Sequence, residues 1–101
     1  ETLNQDLTKK ILVNFIEHIP PEIKKIEFAI ETKQYEAVKS LTEKIKPSFD
    51  TFGMNTAYEE LELIENWTQV KGRRKEVAAN FKNVQHKVNK AIKEIKKDFN
   101  L

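Results

Sequence analysis

The sequence predicts an all-α protein in which amphipathic helices with short connections form an up-and-down bundle. Three observations carry that expectation. Apolar residues recur at three- and four-residue steps in one segment after another, the period of a helix with a single buried face. Helix breakers are scarce: Gly53, Gly72, Pro20, Pro21 and Pro47 are the only glycines and prolines in 101 residues. That is too few to punctuate a set of short strands. No stretch alternates apolar and polar residues as a half-buried strand would, and no internal repeat is visible.

The first helix is expected from about Gln5 to Ile19, with Leu7, Ile11, Leu12, Phe15 and Ile16 on its core side. Pro20-Pro21 should end it, because the residue before a proline is pushed out of helical geometry. The same prolines suit the first turn of a second helix. That helix carries Ile23, Ile26, Ala29 and Ile30 on one side and stops near Thr32-Lys33. The third starts near Gln34. At about 100° per residue, Val38, Leu41, Ile45, Phe49 and Phe52 share its core stripe. Lys39, Glu43, Lys46 and Asp50 lie off that stripe, and Pro47 is exposed one turn after Glu43. Pro47 should bend the helix by leaving the Glu43 carbonyl without its donor. Gly53 supplies the left-handed stop.

Asn55 or Thr56 is positioned to cap the fourth helix, with Glu59 three residues after Thr56 in capping-box spacing. Its core side is Ala57, Leu61 and Ile64, flanked by Tyr58 and Trp67. Lys71-Gly72-Arg73-Arg74 reads as a loop. The last helix, from about Arg74 to Phe99, places Val77, Phe81, Val84, Val88, Ile92, Ile95 and Phe99 on one stripe and spans roughly 37 Å.

The chain is sized for one domain with one core, residues 1–101. With 39% hydrophobic and 34% charged residues it has the composition of an ordinary soluble globular protein. It has no cysteine, so neither a disulfide framework nor thiolate chemistry is possible; that suits a reducing compartment. No apolar run reaches the length of a membrane span and no signal peptide is visible. The expectation is a cytoplasmic, monomeric domain without membrane insertion. The first residue is Glu1, which suits a piece of a longer protein.

The central helix carries a motif. Glu43-Lys44-Ile45-Lys46-Pro47-Ser48-Phe49, followed by Phe52-Gly53, resembles the centre of a histidine-containing phosphotransfer (HPt) domain. That family's motif is His-x-Leu-Lys-Gly-Ser, then apolar residues and a glycine. Ile45, Lys46, Ser48 and Gly53 agree with it. Glu43 stands at the phosphate-accepting histidine and Pro47 at the small glycine. The likeness runs from about Ile11 to Ile95, as helical pattern alone outside the motif. It implies a four-helix bundle with an additional short N-terminal helix across one end. It also implies a place in two-component phosphorelay signalling. The implied partner is a response-regulator receiver domain, or a hybrid histidine kinase carrying one. Docking would fall on Lys39, Ser40, Glu43, Lys46, Pro47 and Asp50.

Glu43 changes what such a domain could do. Phosphohistidine forms when a neutral ring nitrogen attacks an aspartyl phosphate in line. A carboxylate repels the incoming dianion instead. The expectation is a domain that binds a receiver without relaying phosphate, whether the glutamate is native or replaces an acceptor histidine. The alternative is a helical adaptor unrelated to phosphorelay. Read without the motif, Glu43 is a surface glutamate pairing with Lys39 or Lys46, and Lys46 pairs with Glu43 or Asp50.

His18 and His86 are the only histidines. His18 should sit at the end of the first helix, where a cation suits the dipole; His86 falls on the polar side of the last. Neither belongs to a catalytic constellation, and two distant histidines without cysteine do not make a typical zinc site. No enzyme activity, cofactor or metal is expected. Charge is uneven: residues 1–70 hold 8 Lys/Arg and 13 Asp/Glu, residues 71–101 hold 10 and 3. The basic cluster Lys71, Arg73, Arg74 and Lys75 continues into Lys82, Lys87, Lys90, Lys93, Lys96 and Lys97. These lie off the apolar stripe and read as a solvated helix face. Without aromatic interleaving or a groove-reading motif, nucleic acid is not an expected partner.

Overall fold

A computed structural model describes residues 2–100, with side chains from residue 7 to residue 100. Four helices follow one another: α1 (Thr2–Glu31), α2 (Tyr35–Thr51), α3 (Asn55–Val70) and α4 (Arg74–Phe99). No strand occurs among the described residues. Each helix packs on its sequence neighbours and α1 also packs on α4, which closes the ring. α2 and α4 therefore stand on opposite corners. The molecule is a rod of 48 × 20 × 19 Å.

The expected break at Pro20-Pro21 does not occur. Both prolines lie inside α1, so the first two helices anticipated from the sequence are one. The two missing donors leave the carbonyls of Ile16 and Glu17, four residues back, without their helical partners. The buried stripe Phe15, Ile19, Ile23 and Ile26 runs straight through the prolines. Breaking the helix would turn Ile19 and Ile23 away from the core. Each fully buried aliphatic side chain stabilises by about 1.5–3 kcal/mol, which matches an interior proline's cost of about 3 kcal/mol. Both prolines sit off the stripe, so the core accepts them without steric conflict. The bundle has no separate N-terminal helix.

Three turns of one kind link the helices. Each ends with a residue at positive φ: Lys33 (55°), Gly53 (65°) and Lys71 (50°). The next amide in each case reaches back to a carbonyl five residues earlier: Gln34 to Ala29 (2.8 Å), Met54 to Phe49 (2.9 Å) and Gly72 to Trp67 (3.2 Å). These bonds satisfy carbonyls that a helix end leaves free. Gly53 takes the stopping role expected of it, and lysine fills the same role twice. The expected cap at Asn55 or Thr56 is absent: α3 begins after Met54 with no side-chain cap bond. Glu76 instead caps α4, its carboxylate accepting the Arg73 backbone N–H.

The core joins all four helices. Ile26, Val38, Ile45, Phe49, Leu61, Ile64, Val84 and Val88 are essentially closed to solvent. The predicted stripes hold with displacements. Leu41, Phe52, Ile92 and Ile95 are only partly buried. Thr42, not anticipated, is wholly buried between Val38 and Ile45; its hydroxyl donates to the Val38 carbonyl at 2.7 Å. Leu7 (52%) and Ile11 (51%) are exposed. Phe15 already packs edge-on against Phe52 at the end of α2, with centroids 4.8 Å apart. Leu7 lies about 12 Å further along α1, beyond the α2–α3 turn, where neither α2 nor α3 covers it.

Candidate functional site

α2 presents the motif on its outward side. Ser40, Glu43, Pro47 and Asp50 are all exposed and follow one another at steps of three, four and three, so they form one ridge along the helix. The ridge exists because Val38, Thr42, Ile45 and Phe49 are pulled into the core on the opposite side. Lys39 and Lys46, seven residues apart, are half-buried on the flank toward α3. The six expected contact residues thus divide into an exposed ridge of four and a flank of two.

Pro47 is contained within α2 and the helix continues past it to Thr51. The Thr51 hydroxyl donates to the Pro47 carbonyl at 2.9 Å. The ring faces solvent, so its cost is confined to one lost backbone bond on the exposed side.

Lys46 does not pair with Glu43 or Asp50. Its Nζ donates to Glu65 Oε1 of α3 at 2.5 Å, with the two side chains only 20% and 17% exposed. The same ammonium lies 5.2 Å from the Tyr58 ring centroid, within cation–π range. The Glu65 hydrogen bond holds the Lys46 pKa above the ordinary lysine value, against the desolvation that opposes it. A cation anticipated on the outward face is instead a staple between α2 and α3. No ion pair joins Glu43 to Lys39 or to any other described residue within salt-bridge distance. Glu43 and Asp50 therefore make the outward ridge acidic.

Lys44, next to Glu43, turns the other way. Its ammonium reaches Glu22 of α1 at 3.1 Å, and Lys25 approaches the same oxygen at 3.4 Å. Glu22 is 92% buried by its 8% exposure, and its second oxygen has no partner among the described residues. The hydrogen bond from Lys44 holds the Glu22 carboxyl below its ordinary pKa; burial opposes that shift and Lys25 reinforces it. Lys44 and Lys46 thus brace α2 on both flanks, to α1 and to α3, and leave Glu43 alone on the ridge.

The remaining sequence candidates do not converge. His18 lies in the interior of α1, because that helix does not stop at Ile19; the expected helix-end position is corrected. It borders a groove of about 400 Å³ between α1 and α2, with Glu22, Lys44 and Ser48 on the other walls. His86 is exposed on α4, away from every residue of the ridge. Among the described residues no group of three or more His, Asp or Glu is placed to hold a metal ion. No described helix is long and apolar enough to cross a membrane.

The sequence reading missed Glu65, Tyr58 and Glu22 as the partners of the motif's lysines. Nothing local marks them, since each partner is 12 to 22 residues away in the chain. Thr42 was within reach of the sequence: Val38, Thr42, Ile45 and Phe49 keep steps of four, three and four, and only its polar hydroxyl disguised it. Comparison with family models, curated proteins and solved structures returned no match to this chain.

Proposed function

We propose that the protein is an HPt-like domain of two-component signalling that binds a receiver domain through the outward ridge of α2 and does not accept phosphate. The observation that supports this most is the placement of Glu43. It is exposed in the middle of the ridge, at the motif position where a phosphotransfer domain holds its imidazole. The motif's apolar and small residues lie around it in order, and Gly53 ends the helix at positive φ. A carboxylate there repels the aspartyl phosphate dianion and offers no neutral ring nitrogen to receive the phosphoryl group. Binding without transfer would sequester a receiver, compete with an active phosphotransfer domain, or hold a receiver on a scaffold. A hybrid histidine kinase carrying a receiver is the corresponding multidomain partner. The reading is of a cytoplasmic domain acting as a monomer.

The test has two arms. Incubation with a phosphorylated receiver leaves no acid-labile label on the wild-type chain, whereas Glu43→His takes up label at residue 43. Label on His18 or His86 of the wild type overturns the reading. In the binding arm, NMR titration of a receiver perturbs Ser40, Glu43, Pro47 and Asp50. Lys39→Glu then weakens binding more than Lys93→Glu on the opposite corner. Equal losses at the two positions would remove the ridge as the docking surface. Because rim charges act mainly on encounter rates, binding is weak and falls with salt.

A second reading draws on Lys46. The motif lysine is committed to Glu65 and is not free to meet a phosphoryl group or an acidic pocket. A helical adaptor unrelated to phosphorelay would keep this lysine for the same structural reason. Failure of any receiver to shift the ridge resonances, together with an inert Glu43→His variant, selects this second reading.

A further inference from the structure

The outer face of α4 carries a line of positive charge. Lys75, Lys82, Lys90, Lys93, Lys96 and Lys97 are exposed and fall within about 120° of one another around the helix axis. The first and last are separated by about 33 Å along it. None of the six is in an ion pair among the described residues. The acids of α4 lie to the side: Glu76 is taken up in the cap of the first turn, Glu94 borders the groove toward the start of α3 and Asp98 the groove under Phe52. Glu27 and Glu31 of α1 flank only the Arg74–Lys82 end. Beyond Lys82 the stripe has no acidic neighbour on its own line.

We propose that this face is a peripheral docking surface for an anionic lipid bilayer. The composition of the stripe favours a plane over a nucleic acid. Its lysines run along a rod of 48 × 20 × 19 Å, and a rod lies against a plane along its whole line. A duplex can also lie alongside a rod, but specific docking on it calls for bidentate forks to base edges or phosphates. Single-stranded nucleic acid calls for aromatic platforms on which bases stack, and the stripe has none. Its charges are all lysine, which acts as a hydrated point charge, with no bidentate arginine fork inside it. Ala78, Ala79, His86 and Asn89 are the exposed residues between them. The contact is therefore electrostatic, without insertion, and is governed by headgroup charge.

Docking would also orient the molecule. α4 stands diagonally across the bundle from α2, so a bilayer under α4 leaves the acidic Glu43 ridge facing away from it. The inference stands on charge and shape alone and does not depend on the receiver reading.

Co-sedimentation with sonicated vesicles tests it. One set is pure phosphatidylcholine and the other contains roughly a third phosphatidylserine, both at about 0.1 M salt. The protein binds the phosphatidylserine vesicles, not the neutral ones, and is released at about 0.5 M salt. Lys93→Gln lowers the partition coefficient roughly fivefold, and the combined change Lys82→Gln, Lys90→Gln, Lys93→Gln and Lys97→Gln lowers it by about two orders of magnitude or more. All four side chains are exposed, so the helical circular dichroism spectrum is unchanged and the loss is not one of folding. Lys39→Gln on the α3-facing flank of α2 has no comparable effect. Equal binding to neutral vesicles, no binding to either set, or an unaffected fourfold variant overturns the proposal. Tighter binding to a DNA duplex than to the phosphatidylserine vesicles at the same salt also overturns it and assigns the stripe to nucleic acid.

Discussion

The two ends of the bundle are built differently. At the end formed by the α1–α2 and α3–α4 turns, Tyr35 and Trp67 lie with ring centroids 5.0 Å apart. The Tyr35 hydroxyl donates to the Gly72 carbonyl and the Trp67 indole N–H to the Arg73 carbonyl, both at 2.9 Å. Two aromatic rings there fill space and also satisfy turn carbonyls, which is where tyrosine and tryptophan work best. At the opposite end, around the α2–α3 turn, Phe15 and Phe52 meet edge-on and make no such polar contacts. A groove of about 250 Å³ opens beside them, walled by Leu12, Met54, Ile95 and Phe99. Leu7 and Ile11 continue past it into solvent. One end is locked by side chains that reach the turn backbone. At the other, α1 and α4 outrun the two helices that would cover them.

The difference can be broken most directly at Trp67. Trp67→Ala removes the ring against which Tyr35 packs and the donor to Arg73; it costs about 3–5 kcal/mol, read from the shift in a urea unfolding midpoint. A loss below 1 kcal/mol would show that the turn backbone holds itself. Gly72→Ala comes next. A Cβ there would lie 2.5 Å from Trp67 Cδ1 and 2.7 Å from its Nε1. The indole must move and give up its bond to Arg73, an overpacking cost of about 1–3 kcal/mol.

A third comparison separates the waist of the bundle from its ends. The Glu22 carboxyl is held below its ordinary pKa by Lys44. Its contribution is fully present above the unfolded value near 4.5 and is lost as pH falls through the lower folded value. The stability gap between wild type and Glu22→Gln, measured by denaturation across pH, is therefore constant near neutrality and narrows below the ordinary carboxylate range. A gap that widened on acidification would reverse the sign assigned to the Lys44 bond. The smallest effect is expected at the open end. Leu7→Ala changes stability by less than about 0.5 kcal/mol, and amide exchange in the first turns of α1 is much faster than around Trp67.

Little of this asymmetry is legible in the sequence. Gly72 reads there as part of a loop, and its close approach to the Trp67 ring is set by packing. Leu7 and Ile11 have the spacing of core residues, and nothing in their letters says that α2 ends before reaching them. At the candidate site, the exposure of Glu43 and Pro47 follows from the helical step counted from Ile45 and Phe49. The capture of Lys46 by Glu65 and of Lys44 by Glu22 does not follow from it. The motif places those lysines, and the neighbouring helices decide which way they face.

By itself the sequence determined the helical class, the middle of the core stripes of the central and last helices (Val38, Ile45 and Phe49; Val77, Phe81, Val84 and Val88) though not their ends, where Phe99 is exposed, the bounds of α4 and the stop at Gly53. Each rests on local chemistry: a 3.6-residue period, the scarcity of breakers, and a backbone conformation that glycine reaches without strain. Only the tertiary structure decided that α1 runs through Pro20-Pro21, because the burial of Ile19 and Ile23 against other helices offsets two lost backbone bonds. It also decided that the ridge of α2 is acidic. Lys44 and Lys46 are drawn to Glu22 and Glu65, carboxylates 22 and 19 residues away. Helical periodicity places a side chain on a face of its own helix; which charge waits on the facing helix is set by how the helices pack.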